Sequence, residues 1–409
     1  MKILHVNTSA TAGGAAIAAR RIIQAEQRYG LDASLLTRDD LPDHLADRRH
    51  FLTERLEVWL NQKLRRRNLW AIDAATQGSD ITRLPAFQEA DIIHLHWINQ
   101  GMLSLDNIAA IRRTGKPVVW TMHDMWPFTA VCHHADECTA WHDGTSCRTC
   151  TLTARLAAAT YARKAALYAP ANGLMPIHFV GCSQWLTDLA RKSPLLSGHS
   201  IACIPNPIDT NFYAAADKLQ ARQQLHLPDA RPLILFIAYK ASDPRKGIQY
   251  LMEATADMDA DVVVVGQGAA EACAAQGRTP RTGKLIPIGP VSDDQTIRSL
   301  YQACDVLAMP TLRDNLPNTI VEAMACGLPC AGFRIGGLPE MIDHFKNGYL
   351  CAYRDATDLR RGLRYVLESP HIGHLRRTAR LKAVQTYSEP AVASKYASLY
   401  TKALAGQPF

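Results

Sequence analysis

Four segments of the sequence combine residue types able to hold a phosphorylated anion. Thr11-Ala12-Gly13-Gly14-Ala15-Ala16 follows an apolar run and opens an alanine-rich stretch. Paired glycines there let an anion approach a helix N-terminus, where backbone N–H groups and the helix dipole favour negative charge. Lys240 and Lys246, separated by a Pro-containing turn, are two cations able to converge on one diphosphate. In Asp314-Asn315-Leu316-Pro317-Asn318-Thr319-Ile320-Val321-Glu322, Pro317 marks the start of a helix. The N–H groups of Asn318 and Thr319 would face the diphosphate, and Glu322, a little over one turn on, would accept from ribose hydroxyls. His123 closes the apolar run Val118–Met122, where a strand's carboxyl end presents it to a ligand. Taken singly, each segment has a plain structural reading: a tight turn, a solvated basic loop, a capping acid, a buried histidine.

The elements that must position these residues alternate between short apolar runs and helix-like stretches, the pattern of parallel βαβ units. Strands are expected at 2–7, 33–37, 91–97, 117–123, 178–182 and 200–205, then at 233–239, 262–266, 285–289, 305–309, 329–333 and 348–351. This predicts an α/β protein with two Rossmann-like doubly wound sheets in series. The expected division is 1–206, 207–388, and a final helical segment 389–409 packing back towards the first domain. Pro207 and Pro228 interrupt the pattern near the boundary. Ligands of such folds bind at the carboxyl ends of the strands, so a site in a cleft between two facing sheets is expected.

Together these segments resemble the retaining, metal-independent glycosyltransferases of family 4, with their two-Rossmann GT-B architecture. The stretch from Asp314 to Ile342 is similar to that family's Glu-x7-Glu motif and the glycine-rich run after it. Supporting matches are GGAA near the start, HLHW at His94–Trp97, WTMHD at Trp120–Asp124, IPNPID at Ile204–Asp209 and RKG at Arg245–Gly247. The resemblance implies that Gly13 and Gly14 approach the donor diphosphate, that Lys240 (where arginine is usual) and Lys246 bind it, and that Glu322 holds the ribose. It also implies that His123 contacts the transferred sugar. Asp314 stands where the family has its first glutamate, one methylene longer. The activity implied is transfer from a UDP- or GDP-sugar to a glycan or polyprenyl-diphosphate-linked acceptor, by front-face displacement and without a cofactor. The nearest relatives by resemblance serve bacterial exopolysaccharide, capsule or O-antigen assembly.

Four of the eleven cysteines crowd together as Cys132-x5-Cys138-x8-Cys147-x2-Cys150, a spacing that suits a structural zinc. His133, His134 and His142 are alternative ligands. The other seven lie singly in apolar stretches as small hydrophobes. Asp257-Met258-Asp259 has the form of a metal-binding Asp-x-Asp but precedes a strand at its amino end, away from any ligand.

With 47% apolar and 20% charged residues over 409 positions, and a net charge of +7, the chain reads as an ordinary globular protein. The opening MKILHVN is too short for a signal peptide's apolar region, so a cytoplasmic location is expected, including the inner face of the plasma membrane. Phe51–Trp70 sets Leu52, Leu56, Trp59, Leu60 and Leu64 at helical spacing beside Arg65, Arg66 and Arg67, as in a helix that lies on an anionic membrane.

Competing classes fare worse. A sugar-nucleotide epimerase of similar shape would need acid–base residues at the sugar and no acceptor site. A zinc-containing nucleic-acid binder would need a basic stripe with interleaved aromatics, whereas the basic residues are dispersed, so no nucleic-acid partner is expected. A dinucleotide oxidoreductase is disfavoured because Gly266-Gln267-Gly268 lacks the third glycine.

Overall fold

The computed structural model describes residues 1–42, 48–62, 69–135, 138–142, 154–169, 175–275, 283–407. The chain divides into two compact units: Met1–Pro207 with Val392–Phe409, and Ile208–Ala391.

Unit 1 is built on six parallel strands, β1 (Lys2–Val6), β2 (Asp32–Leu36), β3 (Ile92–Leu95), β4 (Val118–Met122), β5 (Ile177–Gly181) and β6 (Ile201–Cys203), in the order β2-β1-β3-β4-β5-β6. The order reverses between β1 and β3, which places the switch point at their carboxyl ends. The central strands β3, β4 and β5 are buried along their whole length, as strands covered on both faces must be. One face of the sheet packs Ile3, Ile92, Val119 and Val180 against the helix Gly14–Arg28 and, from the far end of the chain, Val392, Tyr396, Leu399 and Tyr400 of the helix Glu389–Leu404.

Unit 2 repeats the plan with β7 (Leu233–Lys240), β8 (Asp261–Gln267), β9 (Leu285–Ile288), β10 (Val306–Met309), β11 (Cys330–Phe333) and β12 (Gly348–Cys351), all paired in parallel. Their order is β12-β11-β10-β7-β8-β9, so its switch point falls between β7 and β10. The core joins Ile234, Val262, Val264 and Ala308 of the sheet to Leu251, Leu359 and Leu363 of the covering helices.

All twelve strands lie where the apolar runs place them, within two residues at either end. The helix expected over Phe51–Trp70 differs. It runs Arg48–Asn61, and residues 63–68, with Leu64 and the three arginines, lie outside the described residues. Its buried side carries Glu54, Arg55 and Val58, while Leu52, Leu56 and Leu60, read as one face of a stripe, are exposed. The reason is polar: Glu54 Oε1 accepts from the Ala75 N–H at 2.6 Å, and the Arg55 guanidinium donates to the Leu69 and Ile72 carbonyls. Among the described residues no helix is long and apolar enough to cross a membrane.

Candidate functional site

In unit 2 the predicted residues gather around the β7/β10 switch point. β7 ends on Lys240, which is exposed and has no ion-pair partner among the described residues. The chain then makes a single 3-10 turn, Pro244–Lys246, capped by the Asp243 side chain, and enters the helix Ile248–Thr255 through Gly247 at φ 74°. A Cβ on Gly247 would lie 1.8 Å from the Pro310 carbonyl oxygen, so only glycine lets this turn sit against the end of β10. The turn aims Lys246 Nζ at Asp314 Oδ2, 2.8 Å away, in the loop that follows β10. Both side chains are partly accessible, at 33% and 19%, so the pair remains open to an incoming ligand.

The Asp314 loop is braced from behind. The Gly337 N–H donates to the Asn315 carbonyl at 2.9 Å, and Gly336, at φ 55°, packs so closely that a Cβ would come within 1.8 Å of the Asp314 carbonyl oxygen. The glycine-rich run thus serves as a template for the acidic loop. Pro317 caps the helix Asn318–Ala325, leaving Asn318 and Thr319 in its first turn, half-buried. Glu322 is buried in that helix, and its Oε2 accepts from the Tyr301 hydroxyl at 2.7 Å. Burial, reinforced by the Glu322 charge, pushes the Tyr301 phenol well above its ordinary value, so Tyr301 stays a donor. Asp257 and Asp259 lie ahead of β8, paired with Arg360 and Arg231, and take no part in this group.

In unit 1 the β1 carboxyl end leads to Gly13, at φ 89°, which caps the helix Gly14–Arg28 without a side-chain cap. A Cβ at Gly13 or Gly14 would meet nothing within 4 Å, so this helix start is open space. His123 follows β4, half-buried, and burial pushes its imidazole down to about 4. Its Nε2 lies 3.0 Å from His96 Nδ1.

Behind His123 lies a polar network. His96 Nε2 meets His5 Nδ1 at 2.9 Å, and His5 Nε2 meets Glu26 Oε2 at 2.7 Å. His94 meets the Tyr400 hydroxyl through Nδ1 at 2.6 Å and Thr121 Oγ1 through Nε2 at 2.8 Å. Tyr400 donates to Glu26 Oε1 at 2.7 Å. Strand geometry makes this possible, because His94 in β3 and His96 just past its end are two residues apart and point to the same side, and His94 is the register partner of His5. Burial lowers both His94 and His96 well below the ordinary histidine value. The signals in the sequence were the His-x-His spacing at the end of β3 and a glutamate on the buried stripe Ile22, Ile23, Glu26 of an otherwise apolar helix face.

Beside it stands a second network. His133 spans two carboxylates, with Nδ1 2.6 Å from Asp124 Oδ2 and Nε2 2.7 Å from Asp73 Oδ2. Asp124 also accepts from Trp97 Nε1 at 2.9 Å, and Asp73 pairs with Arg55. Burial pushes Asp124 up, but the His133 imidazole outweighs it and holds the carboxyl below the usual range. With both nitrogens engaged by carboxylates, His133 is not the alternative zinc ligand its place in the sequence suggested.

Of the four candidate zinc ligands, Cys132 is half-buried and Cys138 exposed; Cys147 and Cys150 lie outside the described residues. Among the described residues the one group with metal-ligand spacing is His5, His94 and His96, with ligand atoms within 4.8 Å of one another. Both ring nitrogens of all three meet hydrogen-bond partners in the network, so the arrangement is complete without an ion.

Both parts of the chain match known families. Residues 12–212 match the family model "Glycosyltransferase Family 4", and residues 231–369 match "Glycosyl transferases group 1". The chain is 23% identical over 203 residues to the N-acetyl-alpha-D-glucosaminyl L-malate synthase of Bacillus anthracis, covering 49% of this chain and 53% of that one. It is 28% identical over 180 residues to the 2-deoxystreptamine glucosyltransferase of Streptomyces kanamyceticus, covering 42% and 46%. The matches span about half the length, or less, of such curated relatives. In fold it is similar to a sucrose-phosphate synthase from Thermosynechococcus elongatus (TM-score 0.66, 17% identity, 100% of both chains). It is likewise similar to Anabaena HepE in complex with UDP-glucose (TM-score 0.62, 17% identity, 98% and 100%).

Proposed function

Because the chain belongs to the glycosyltransferases, matching family 4 in its first part and group 1 in its second, we propose that it transfers a sugar from a nucleoside-diphosphate sugar to a glycan or polyprenyl-diphosphate-linked acceptor, with retention of anomeric configuration. The observation that carries this reading is the Lys246–Asp314 pair at the β7/β10 switch point, with Glu322 one helix turn beyond. A cation held in place but still accessible can take up a diphosphate oxygen as charge develops on the leaving group. In this reading Lys240 and Lys246 bind the diphosphate, helped by the N–H groups of Asn318 and Thr319. Glu322, oriented by Tyr301, accepts from the ribose hydroxyls, and Asp314 contacts the sugar. Gly13 and Gly14 leave the start of their helix clear for the donor, and His123 contacts the transferred sugar.

The chemistry is a front-face displacement through an oxocarbenium-like state. The departing phosphate takes the acceptor hydroxyl's proton, so no protein carboxylate need form a covalent intermediate and no divalent metal is required. UDP-glucose in the HepE structure makes UDP-sugars the first donors to test. The setting in this reading is bacterial surface-polysaccharide assembly on the cytoplasmic side of the membrane, with the exposed Leu52, Leu56 and Leu60 as the contact with anionic lipid. Zinc held by Cys132, Cys138, Cys147 and Cys150 would be structural, since four thiolates leave no open position.

The test is a screen of UDP- and GDP-sugars for nucleotide release with chelator present, followed by assignment of the product's anomeric configuration. One donor is expected to turn over, with loss in Glu322→Ala; an inverted product or a trapped glycosyl-enzyme would sink the mechanism. Metal analysis of untagged protein tests the zinc, which is excluded if none is found and four thiols titrate. Flotation with anionic vesicles tests the membrane contact, which should weaken when the three leucines become serine.

A further inference from the structure

Unit 2 holds a cavity of about 650 Å³ at the amino ends of its strands, away from the Lys246–Asp314 pair. Cys304 and Leu328, in its wall, stand just ahead of β10 and β11, whereas Lys246 and Asp314 follow the carboxyl ends of β7 and β10. Part of the wall is apolar: Cys304, Cys326 and Leu328, joined by Leu381 and Val384, which are 54% and 37% exposed. Burial pushes both thiols up, so they meet a ligand as neutral sulfur. The helix Ile372–Lys382 continues into a π turn, Ala383–Tyr387, a rare geometry that recurs at functional sites, and this turn carries Val384. The rest of the wall is cationic. Arg376, Arg377 and Arg380 of the same helix line the cavity, and among the described residues no aspartate or glutamate does. The Arg380 guanidinium donates to the Thr210, Tyr213 and Ala325 carbonyls at 2.5–2.8 Å, which hold its charge in place without neutralising it. Arg376 approaches Asp305 at 3.5 Å, but Lys218 and Arg222 already hold that carboxylate at 2.8 and 2.6 Å. The Arg376 Nε is buried and has no hydrogen-bond partner among the described residues. Arg377 is exposed, with no ion-pair partner among them. An apolar wall beside uncompensated positive charge suits a ligand whose chain displaces water from the wall and whose end is an anion.

We propose that this cavity binds a single-chain amphiphile with a phosphate head group, its chain along Cys304, Cys326 and Leu328 and its phosphate at Arg376 and Arg377. A phosphate monoester carries more than one negative charge near neutral pH, which suits two guanidinium groups better than a carboxylate would. The site has a route to the rest of unit 2. Tyr301 lines the cavity and donates its hydroxyl to Glu322, and the helix that carries Glu322 ends at Cys326, in the cavity wall. A bound chain that holds Tyr301 in place therefore holds Glu322 too, and tightens the binding of a nucleotide. That consequence rests on the function proposed above; the site itself does not.

The test is calorimetry on the full chain with three probes kept below micelle-forming concentrations: dodecyl phosphate, inorganic phosphate and dodecanol. Dodecyl phosphate should bind at one site per chain, about tenfold or more tighter than either of the others. Inorganic phosphate bound as tightly would mark a site for a free anion, and dodecanol bound as tightly would leave the arginines without a role; either overturns the proposal. Arg377→Gln changes an exposed side chain, so Tm should hold while the affinity for dodecyl phosphate falls about tenfold. An unchanged affinity overturns the assignment. Leu56→Ser, in unit 1, should leave binding as it is; a loss there places the amphiphile on unit 1 and also overturns it. So does a dimer in light scattering that Leu381→Asp dissolves, since this face would then be a contact between copies of the chain. With dodecyl phosphate present, UDP should bind about fivefold tighter or more. Equal affinity overturns the coupling through Tyr301, and a failure of UDP to bind at all counts against the function proposed above, not against the site.

Discussion

Replacing Lys246 by methionine removes the charge while keeping the length of the side chain, and the structure separates its two expected effects. Lys246 Nζ sits 2.8 Å from Asp314 Oδ2, but the side chains keep 33% and 19% of their exposure. A pair this accessible is screened by solvent, so its loss should cost about 1 kcal/mol of stability or less. In a unit the size of the second one this lowers Tm by about 2–4 °C at most. A charge-assisted hydrogen bond from the same ammonium to a donor diphosphate is worth about 1.5–3 kcal/mol. Its removal should therefore lower kcat/KM by roughly 10- to 150-fold. The assay is a pair of measurements on Lys246→Met: thermal unfolding, and initial rates of nucleotide release over a range of donor concentration. Asp314→Asn and the double variant complete a cycle that reports the coupling of the two residues with and without donor. A kcat/KM within threefold of wild type would refute the assignment of Lys246 to the diphosphate. A rate loss accompanied by a fall in Tm well beyond the stated range would refute the claim that the pair is a binding rather than a structural device.

Further outcomes follow from other parts of the site. Tyr301→Phe takes a hydrogen bond from buried Glu322 and should destabilise unit 2 by about 1–3 kcal/mol in denaturant titration. Glu322→Gln retains an acceptor for Tyr301, so it should unfold near the wild-type midpoint yet bind nucleotide more weakly in calorimetry. Gly336→Ala combines φ 55° with a Cβ 1.8 Å from the Asp314 carbonyl and should cost about 3 kcal/mol or more, whereas Gly14→Ala meets nothing within 4 Å and should change stability by less than about 0.5 kcal/mol while reducing turnover. His123 titrates at about 4 in the folded chain against 6.5 for an ordinary histidine, so below pH 6.5 the unfolded chain gains the proton first. Its contribution to stability is full above pH 6.5 and declines as pH falls towards 4, by about 2 kcal/mol between pH 7 and pH 5. Beside it His96 follows the same sign, while Asp124 titrates lower. His123→Gln should flatten that part of the curve measured by chemical denaturation; an unaltered slope would contradict the assignment.

The strands were legible because buried parallel strands are continuous apolar runs, a signal that needs no knowledge of partners. Asp314, Asn318, Thr319 and Glu322 were legible for a related reason: they are close in sequence, and Pro317 fixes where their helix begins. Lys246 could be named but not its partner, because the pairing with Asp314 arises from the return of β10 beside β7. Glu26, His5 and His96 are the opposite case. They lie on a helix, a strand and the residue just past the end of another, brought together only by the sheet, and a histidine in or beside an apolar strand looks the same whether it stands alone or in a chain of four. The helix at Arg48–Asn61 was legible as a helix with Leu52, Leu56 and Leu60 on one stripe, and those leucines are exposed. Its buried side was not legible, because Glu54 and Arg55 find their partners at positions 69–75.

The helix Glu389–Leu404 returns to unit 1 after the whole of unit 2 has been traversed, and this sets an order of assembly. During synthesis the six strands of unit 1 emerge first, yet Tyr396 and Tyr400 emerge only after all twelve strands have been made. Until then the Glu26 carboxylate lacks one of its two hydrogen-bond partners and His94 lacks the tyrosine hydroxyl at its Nδ1. The half of the molecule made first is thus the half completed last. Unit 2, continuous in sequence, can close without waiting, whereas unit 1 keeps part of one apolar face uncovered, beside the helix Gly14–Arg28, until the final helix docks.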